Sequence, residues 1–260
     1  GDKRKLVVLF SDIRGFTTIS ESLSPEDIVE SLNRFFSLMV EIIMERNGIV
    51  DKYIGDAIMA FFGAPVKHAN DPEQATLAAL EMLSALNTFN RQQAETNSPE
   101  FRIGIGLNYG DVTIGNIGSD KKMDYTVIGD MVNLASRLEG LTKVYHQPLL
   151  ISDSVAKAVY KKIPCRLVDR VRVKGKQQET RIYSPKRQLT MNEKKGWKLY
   201  NEGLRNYYSR NFANTLKYMQ AAERYIQGDS LVQLYATRAA EFKETPPADD
   251  WDGIVTITEK

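Results

Sequence analysis

The order of periodic segments in this 260-residue chain predicts an α+β fold on the ferredoxin-like, palm-type βαββαβ plan, extended at its C-terminus by helices. Three observations carry the prediction. Short β-rich runs alternate with longer segments of helical periodicity. Two of those runs, Ile49 to Ile54 and Ala57 to Phe62, are separated only by Gly55-Asp56, the mark of a tight hairpin. Finally, β-rich patterning stops near residues 185–192 and an aromatic-rich helical pattern takes over.

Taken in order, Leu6 to Phe10 is an uninterrupted apolar run and reads as a buried central strand that Asp12 leaves. Ser24-Pro25-Glu26-Asp27 supplies an N-cap, a first-turn proline and first-turn acids, opening a helix to about Asn47-Gly48. Its expected buried face is Leu32, Phe35, Phe36, Met39 and Ile43. After the hairpin, a helix capped at Asp71-Pro72-Glu73 carries Ala75, Leu77, Leu80, Met82, Leu83 and Leu86, and the polar stretch Arg91 to Pro99 reads as a surface loop. Phe101 to Leu107 and Val112 to Ile117 read as two strands turning at Gly110-Asp111, followed by a strand at Asp124 to Ile128 and a helix over Met131 to Leu141. The glycines at 104, 106, 110, 115 and 118 fit neither dinucleotide nor P-loop spacing and are assigned to tight strand turns. A strand at Pro148 to Ile151, a short helix at Ser154 to Lys162 and a hairpin around Val173 to Lys176 ending at Ile182-Tyr183 complete the first domain, 1–187. Residues 188–260 read as a tetratricopeptide-like helix pair with a polar, extended tail. Trp197, Tyr200, Tyr207, Tyr208, Phe212, Tyr218 and Tyr225 are its expected packing residues.

Composition narrows the function. A 42% hydrophobic content is enough for a full core, and a net charge of +2 excludes wholesale binding to nucleic acid or to an acidic membrane. The single cysteine, Cys165, forms no internal disulfide and is expected as a small buried residue in a cytoplasmic chain. No apolar run approaches the roughly 20 residues that span a bilayer, so no membrane contact is expected of this fragment, with upstream sensor or membrane domains left open.

Asp12 at a strand exit and Asp56 in the neighbouring hairpin turn can meet at one sheet edge, an arrangement that suits Mg²⁺ and phosphoryl transfer. Read alone, each aspartate is more simply explained by its turn. Asn133 and Arg137 share a helix face, and a forked arginine suits phosphate, although an ordinary solvated face has the same pattern. His68 and His146 have no partner at zinc-ligand spacing.

Three blocks in order, Leu9 to Thr17, Asp51 to Ala57, and Tyr125 to Asp130 running on through Asn133 to Arg137, resemble the class III nucleotidyl cyclase catalytic domain. The resemblance covers about residues 5–184 and closes on Val173-Lys174-Gly175-Lys176. It implies attack of a ribose 3′-hydroxyl on the α-phosphate of a nucleoside triphosphate, with release of pyrophosphate. Asp12, Asp56 and the Ile13 carbonyl would hold two Mg²⁺ or Mn²⁺ ions per site, and backbone N–H groups of Gly15, Phe16 and Thr17 would hold the terminal phosphates. Asn133 would orient the ribose, Arg137 would stabilise charge on the α-phosphate, and Lys174, ahead of Lys176, would meet the terminal phosphates. Ile128 falls in the same substrate-binding block. Lys52 and Thr126 occupy the base-selecting positions, where the resemblance implies ATP: a lysine donates to adenine N1, and a threonine oxygen accepts from the adenine amino group. Threonine here also resembles the subgroup stimulated by bicarbonate. Because the chain holds both the metal set and the base set, the resemblance implies a head-to-tail homodimer with two shared sites and an inactive lone protomer. The competing readings are a guanylate cyclase and a cyclase-like module that binds without turnover. The helical extension is expected to stabilise or modulate the dimer.

Overall fold

The computed structural model describes residues 1–173 and 179–257, and divides into two compact units, Gly1–Lys162 and Ile163–Lys260. The division falls ahead of the hairpin at residues 165–185.

In the first unit, β1 (Asp2–Ile13) is the central strand. It pairs antiparallel with β3 (Ala57–Phe62) on one side and with β4 (Ile103–Ser119) on the other, giving the order β2-β3-β1-β4-β6 with β2 (Gly48–Ile54) and β6 (Leu149–Ser152) outside. Leu6, Val7, Val8 and Leu9 are all fully buried, because both faces of this strand are covered and neither can be polar. Leu6, Val8 and Phe10 share a core with Met59, Phe61, Val112 and Ile114 of the sheet and with Met131 and Ala135 of α4 (Asp130–Val144). By strand alternation Asp12 continues that row.

The first helix, α1 (Phe16–Glu21), has no counterpart in the sequence reading, since six residues carry no helical period. In α2 (Pro25–Glu45) the Ser24 hydroxyl accepts the Asp27 N–H at 3.1 Å, as the capping signal predicts. Its buried stripe is Ser31, Phe35, Met39 and Ile43; Leu32 and Phe36 are only half-buried, one position off the predicted face. Arg91 to Glu95 is not loop, because α3 (Asp71–Glu95) runs through it with Gln93 fully buried.

The largest departure is at Gly110-Asp111, where no turn forms. β4 is one 17-residue strand, paired with β1 from Ile103 to Ile114, and β5 (Lys122–Ile128) pairs back on its far half. Nor do Gly104 and Gly106 turn the chain. A Cβ at Gly106 would lie 2.4 Å from the Ala135 carbonyl oxygen and the Glu139 nitrogen, so Gly106 lets the α4 backbone lie directly on the strand, while Gly104 leaves room for the Thr142 and Glu139 side chains of the same helix. The short α5 (Asp153–Val159) completes the unit.

In the second unit β7 (Cys165–Val173) and β8 (Thr180–Pro185) are antiparallel. Three helices follow, α6 (Met191–Tyr208), α7 (Phe212–Glu223) and α8 (Ser230–Glu244), one more than the expected pair. The tail is not merely polar and extended: β9 (Val255–Ile257) runs parallel to β7, and Trp251 packs edge-on to Tyr207 with ring centroids 5.4 Å apart. Tyr225 is exposed, whereas Tyr235, which the aromatic reading passed over, is fully buried. Burial pushes the half-buried Cys165 thiol up to about 12.

Asp169 of β7 is fully buried and receives Arg238 at 2.8 Å and the Tyr235 hydroxyl at 3.1 Å, both from α8. Removing residues after Pro185 strips the Arg238 guanidinium and the Tyr235 hydroxyl from that carboxylate. The truncated chain is expected to lose at least about 3 kcal/mol of stability, read as a fall in denaturant midpoint.

Candidate active site

The site begins where β1 ends. Antiparallel pairing of Ser11 with Ile58 sets the β2–β3 turn beside the exit of β1, and Gly55, at φ 64°, makes that turn tight enough to present Asp56 there. Asp12 and Asp56 are thereby brought together. The Asp12 carboxyl is raised to about 6, first by burial, then by a hydrogen bond to Asp56 and by its charge, with Lys143 and the Ile13 backbone pulling the other way. Oδ2 of Asp56 is buried and has no hydrogen-bond partner among the described residues. Two crowded carboxylates with an orphaned buried oxygen need a positive charge between them, and a divalent oxygen-seeking ion fits that need.

Behind the pair stands a third carboxylate, Glu139 of α4, 9% exposed, with an unpartnered buried Oε1. It is raised to about 7, chiefly by burial and next by the charge of Asp12, with Lys143 and Arg14 opposing. Among the described residues no group of three or more His, Cys, Asp or Glu side chains is placed to hold a metal ion, so Glu139 backs the pair without joining it. Sequence reasoning missed it; the only signal is an acid between Leu138 and Leu141 on a helix face otherwise apolar. Because its folded pKa lies above the ordinary glutamate value of about 4.5, its contribution to stability is full below about 4.5 and is lost as pH rises through about 7. Glu139→Gln is therefore expected to raise the melting temperature of metal-free protein at pH 8 and to leave it nearly unchanged at pH 4.5.

Gly15 follows, at φ 65°, with open space where a Cβ would stand, and it starts α1 at Phe16. The amides of Phe16 and Thr17 open that helix, where backbone N–H groups lack intrahelical acceptors.

A second cluster forms around Asp51. The Thr126 hydroxyl donates to Asp51 Oδ2 at 2.8 Å, and the Lys52 ammonium lies 3.5 Å from the same oxygen. Lys52 is exposed, Thr126 is 7% exposed, and Ile128 is half-exposed on the same strand as Thr126. On α4, Leu134 and Leu138 are buried while Asn133 is exposed and Arg137 half-buried, so both polar side chains lie on the outward face. Among the described residues no hydrogen bond or ion pair joins Asn133 or Arg137 to either carboxylate cluster. Lys174 and Lys176 lie outside the described residues.

Residues 2–184 match the family described as the adenylate and guanylate cyclase catalytic domain. An adenylate cyclase of Anabaena cylindrica is 42% identical over 190 residues, which is 70% of this chain and 37% of that protein; the chain thus spans little more than a third of that relative's length. Among solved structures, the adenylyl cyclase CyaB from P. aeruginosa aligns with TM-score 0.68 at 35% identity, covering 73% of this chain and 98% of that one. The guanylyl cyclase Cya2 aligns with TM-score 0.65, also at 35% identity, covering 71% of this chain and 93% of that one.

Proposed function

The chain belongs to the adenylate and guanylate cyclase catalytic domain family, and from that premise we propose that it converts ATP to 3′,5′-cyclic AMP and pyrophosphate at sites shared between two copies of itself. The observation that carries the choice of ATP is the pairing of Lys52 and Thr126 on one carboxylate. A protonated lysine can only donate, and adenine N1 accepts where guanine N1 carries a hydrogen. The Thr126 hydroxyl donates its hydrogen bond to Asp51, so its oxygen is left to accept from an exocyclic amino group.

In this reading Asp12, Asp56 and the Ile13 carbonyl would hold Mg²⁺ or Mn²⁺, two per site, supplying activation of the ribose hydroxyl and neutralisation of the phosphates. The amides of Gly15, Phe16 and Thr17 receive phosphate oxygens, a role that Gly15's left-handed backbone favours by turning successive N–H groups the same way. Asn133 positions the ribose, and Arg137 meets the charge that grows on the α-phosphate as the 3′-oxygen attacks and the pyrophosphate oxygen leaves.

The need for two copies is supported by an apolar surface beside the base-selecting residues. Tyr53 and Ile54 of β2 and Met123, Tyr125 and Ile128 of β5 are 43–58% exposed, a grouping that a second copy would shield from water.

The test is turnover of ATP and GTP side by side with Mg²⁺ or Mn²⁺ over a range of protein concentrations. Cyclic AMP formation rising faster than linearly with protein, with cyclic GMP at least about tenfold slower, is the expected result. Faster turnover of GTP, or activity strictly proportional to protein down to concentrations where the chain is monomeric, overturns the corresponding half of the reading.

A further inference from the structure

Neighbouring side chains on a regular strand point to opposite faces. Asp51 and Lys52 do not, since their charged groups lie 3.5 Å apart. The cause is a bulge in β2: Val50 pairs with Ala60 and Lys52 with Met59, leaving Asp51 as the extra residue. The bulge places a carboxylate with 1% of its side chain exposed beneath an exposed lysine. Thr126 reaches the same oxygen from β5, a strand that pairs with neither β2 nor β3. The second oxygen of Asp51, Oδ1, is buried with no hydrogen-bond partner among the described residues, so Oδ2 carries the carboxylate's only hydrogen bond.

Resting on the cyclase reading above, we infer that Asp51 is a specificity-positioning residue: it fixes the Thr126 hydroxyl as an acceptor and anchors Lys52 as a donor, so that the pocket selects adenine over guanine without Asp51 touching the base. The logic is one of proton direction. A free threonine hydroxyl both donates and accepts and so tolerates the amino group of adenine or the carbonyl oxygen of guanine equally. Once its proton is committed to a carboxylate, which can only accept, the oxygen turns lone pairs toward the ligand and opposes a carbonyl there. The same oxygen of Asp51 restrains the lysine, whose long side chain otherwise samples many rotamers.

The test is the isosteric Asp51→Asn variant, assayed with ATP and GTP as kcat/KM and, in parallel, as competitive displacement of a fluorescent nucleotide. An asparagine amide donates as well as accepts, so the threonine proton is released. The ATP-to-GTP ratio is expected to fall about tenfold, the scale of one hydrogen bond to a buried group, with a melting temperature close to that of the wild type. In a Thr126→Val background the same change is expected to have a markedly smaller effect, because the group it acts through is gone. Thr126→Ser, which keeps the hydroxyl, should retain the wild-type ratio. If Asp51→Asn does not fold, Asp51→Ser is read in its place with the same expected fall in ratio. An unchanged ratio, or equal losses on both nucleotides, overturns the inference. The binding arm separates this from the cyclase reading: a wild type that binds ATP preferentially without turnover, and loses the preference in Asp51→Asn, sinks the cyclase reading and upholds Asp51.

Discussion

Arg137→Ala is expected to lower kcat for ATP by about a thousandfold or more, the scale on which removing a phosphate-directed arginine or an oxyanion donor slows transfer, while KM changes little. The argument is positional. Arg137 lies on the outward face of a helix whose inward face, Leu134 and Leu138, is locked into the core, and whose backbone lies against Gly106. A guanidinium carried on so fixed a helix needs little reorganisation when charge develops, so its loss falls on the transition state. Arg137→Lys restores charge without the fork and should recover only a small part of the rate. A variant whose KM rises while kcat holds would place Arg137 in ground-state binding instead, and steady-state kinetics at saturating ATP decide between the two.

Asp56→Asn is expected to abolish detectable cyclisation and, in the absence of divalent ions, to stabilise the fold. These opposite signs share one cause. The Asp12 carboxyl is raised to about 6 by burial and by Asp56, so near neutral pH the folded state holds two crowded charges that the unfolded chain separates. Stability tied to the Asp12 proton is complete below the ordinary aspartate value of about 3.8 and is lost as pH rises through about 6. Replacing Asp56 by its neutral isostere relieves the part of that loss that Asp56 causes, burial supplying the rest, so the melting temperature of chelator-treated protein should rise at pH 7.5 and stay level at pH 4. Magnesium should raise the wild-type melting temperature and leave the variant's unchanged. A variant melting below the wild type in chelator at pH 7.5 would show that Asp56 serves the turn more than the pair.

The parts of this molecule legible in the sequence are those where a local rule and the tertiary fold agree. The apolar run of β1, the Gly55-Asp56 hairpin and the Ser24 cap each follow from neighbouring residues alone. The Asp12 and Asp56 positions emerged because strand exits and tight turns are visible locally and the cyclase-like blocks flagged them. Gly110-Asp111 misled for the complementary reason: the dipeptide favours a turn, but β1 supplies hydrogen-bond partners from Asp2 to Ile13 and holds β4 extended through it. The strand glycines are set by how closely α4 approaches, a distance no sequence window contains. Asp51 was hidden likewise, since its partner Thr126 is 75 residues away. Its one local trace is a charged pair, Asp51-Lys52, placed side by side in a strand.

Because β1 pairs with β4 along its whole length, Asp2 facing Ile114 and Ile13 facing Ile103, the strand that opens this unit is among the last of the unit's strands to be completed. A nascent or truncated chain ending before residue 103 carries Leu6 to Phe10 with one full edge open, a hydrophobic template for other chains. Closing that edge demands a contact between residues about a hundred positions apart, which slows folding and lengthens the exposure. Shortened versions of this unit should therefore collect as aggregates until β4 is whole, and the smallest soluble piece should reach past Ile114.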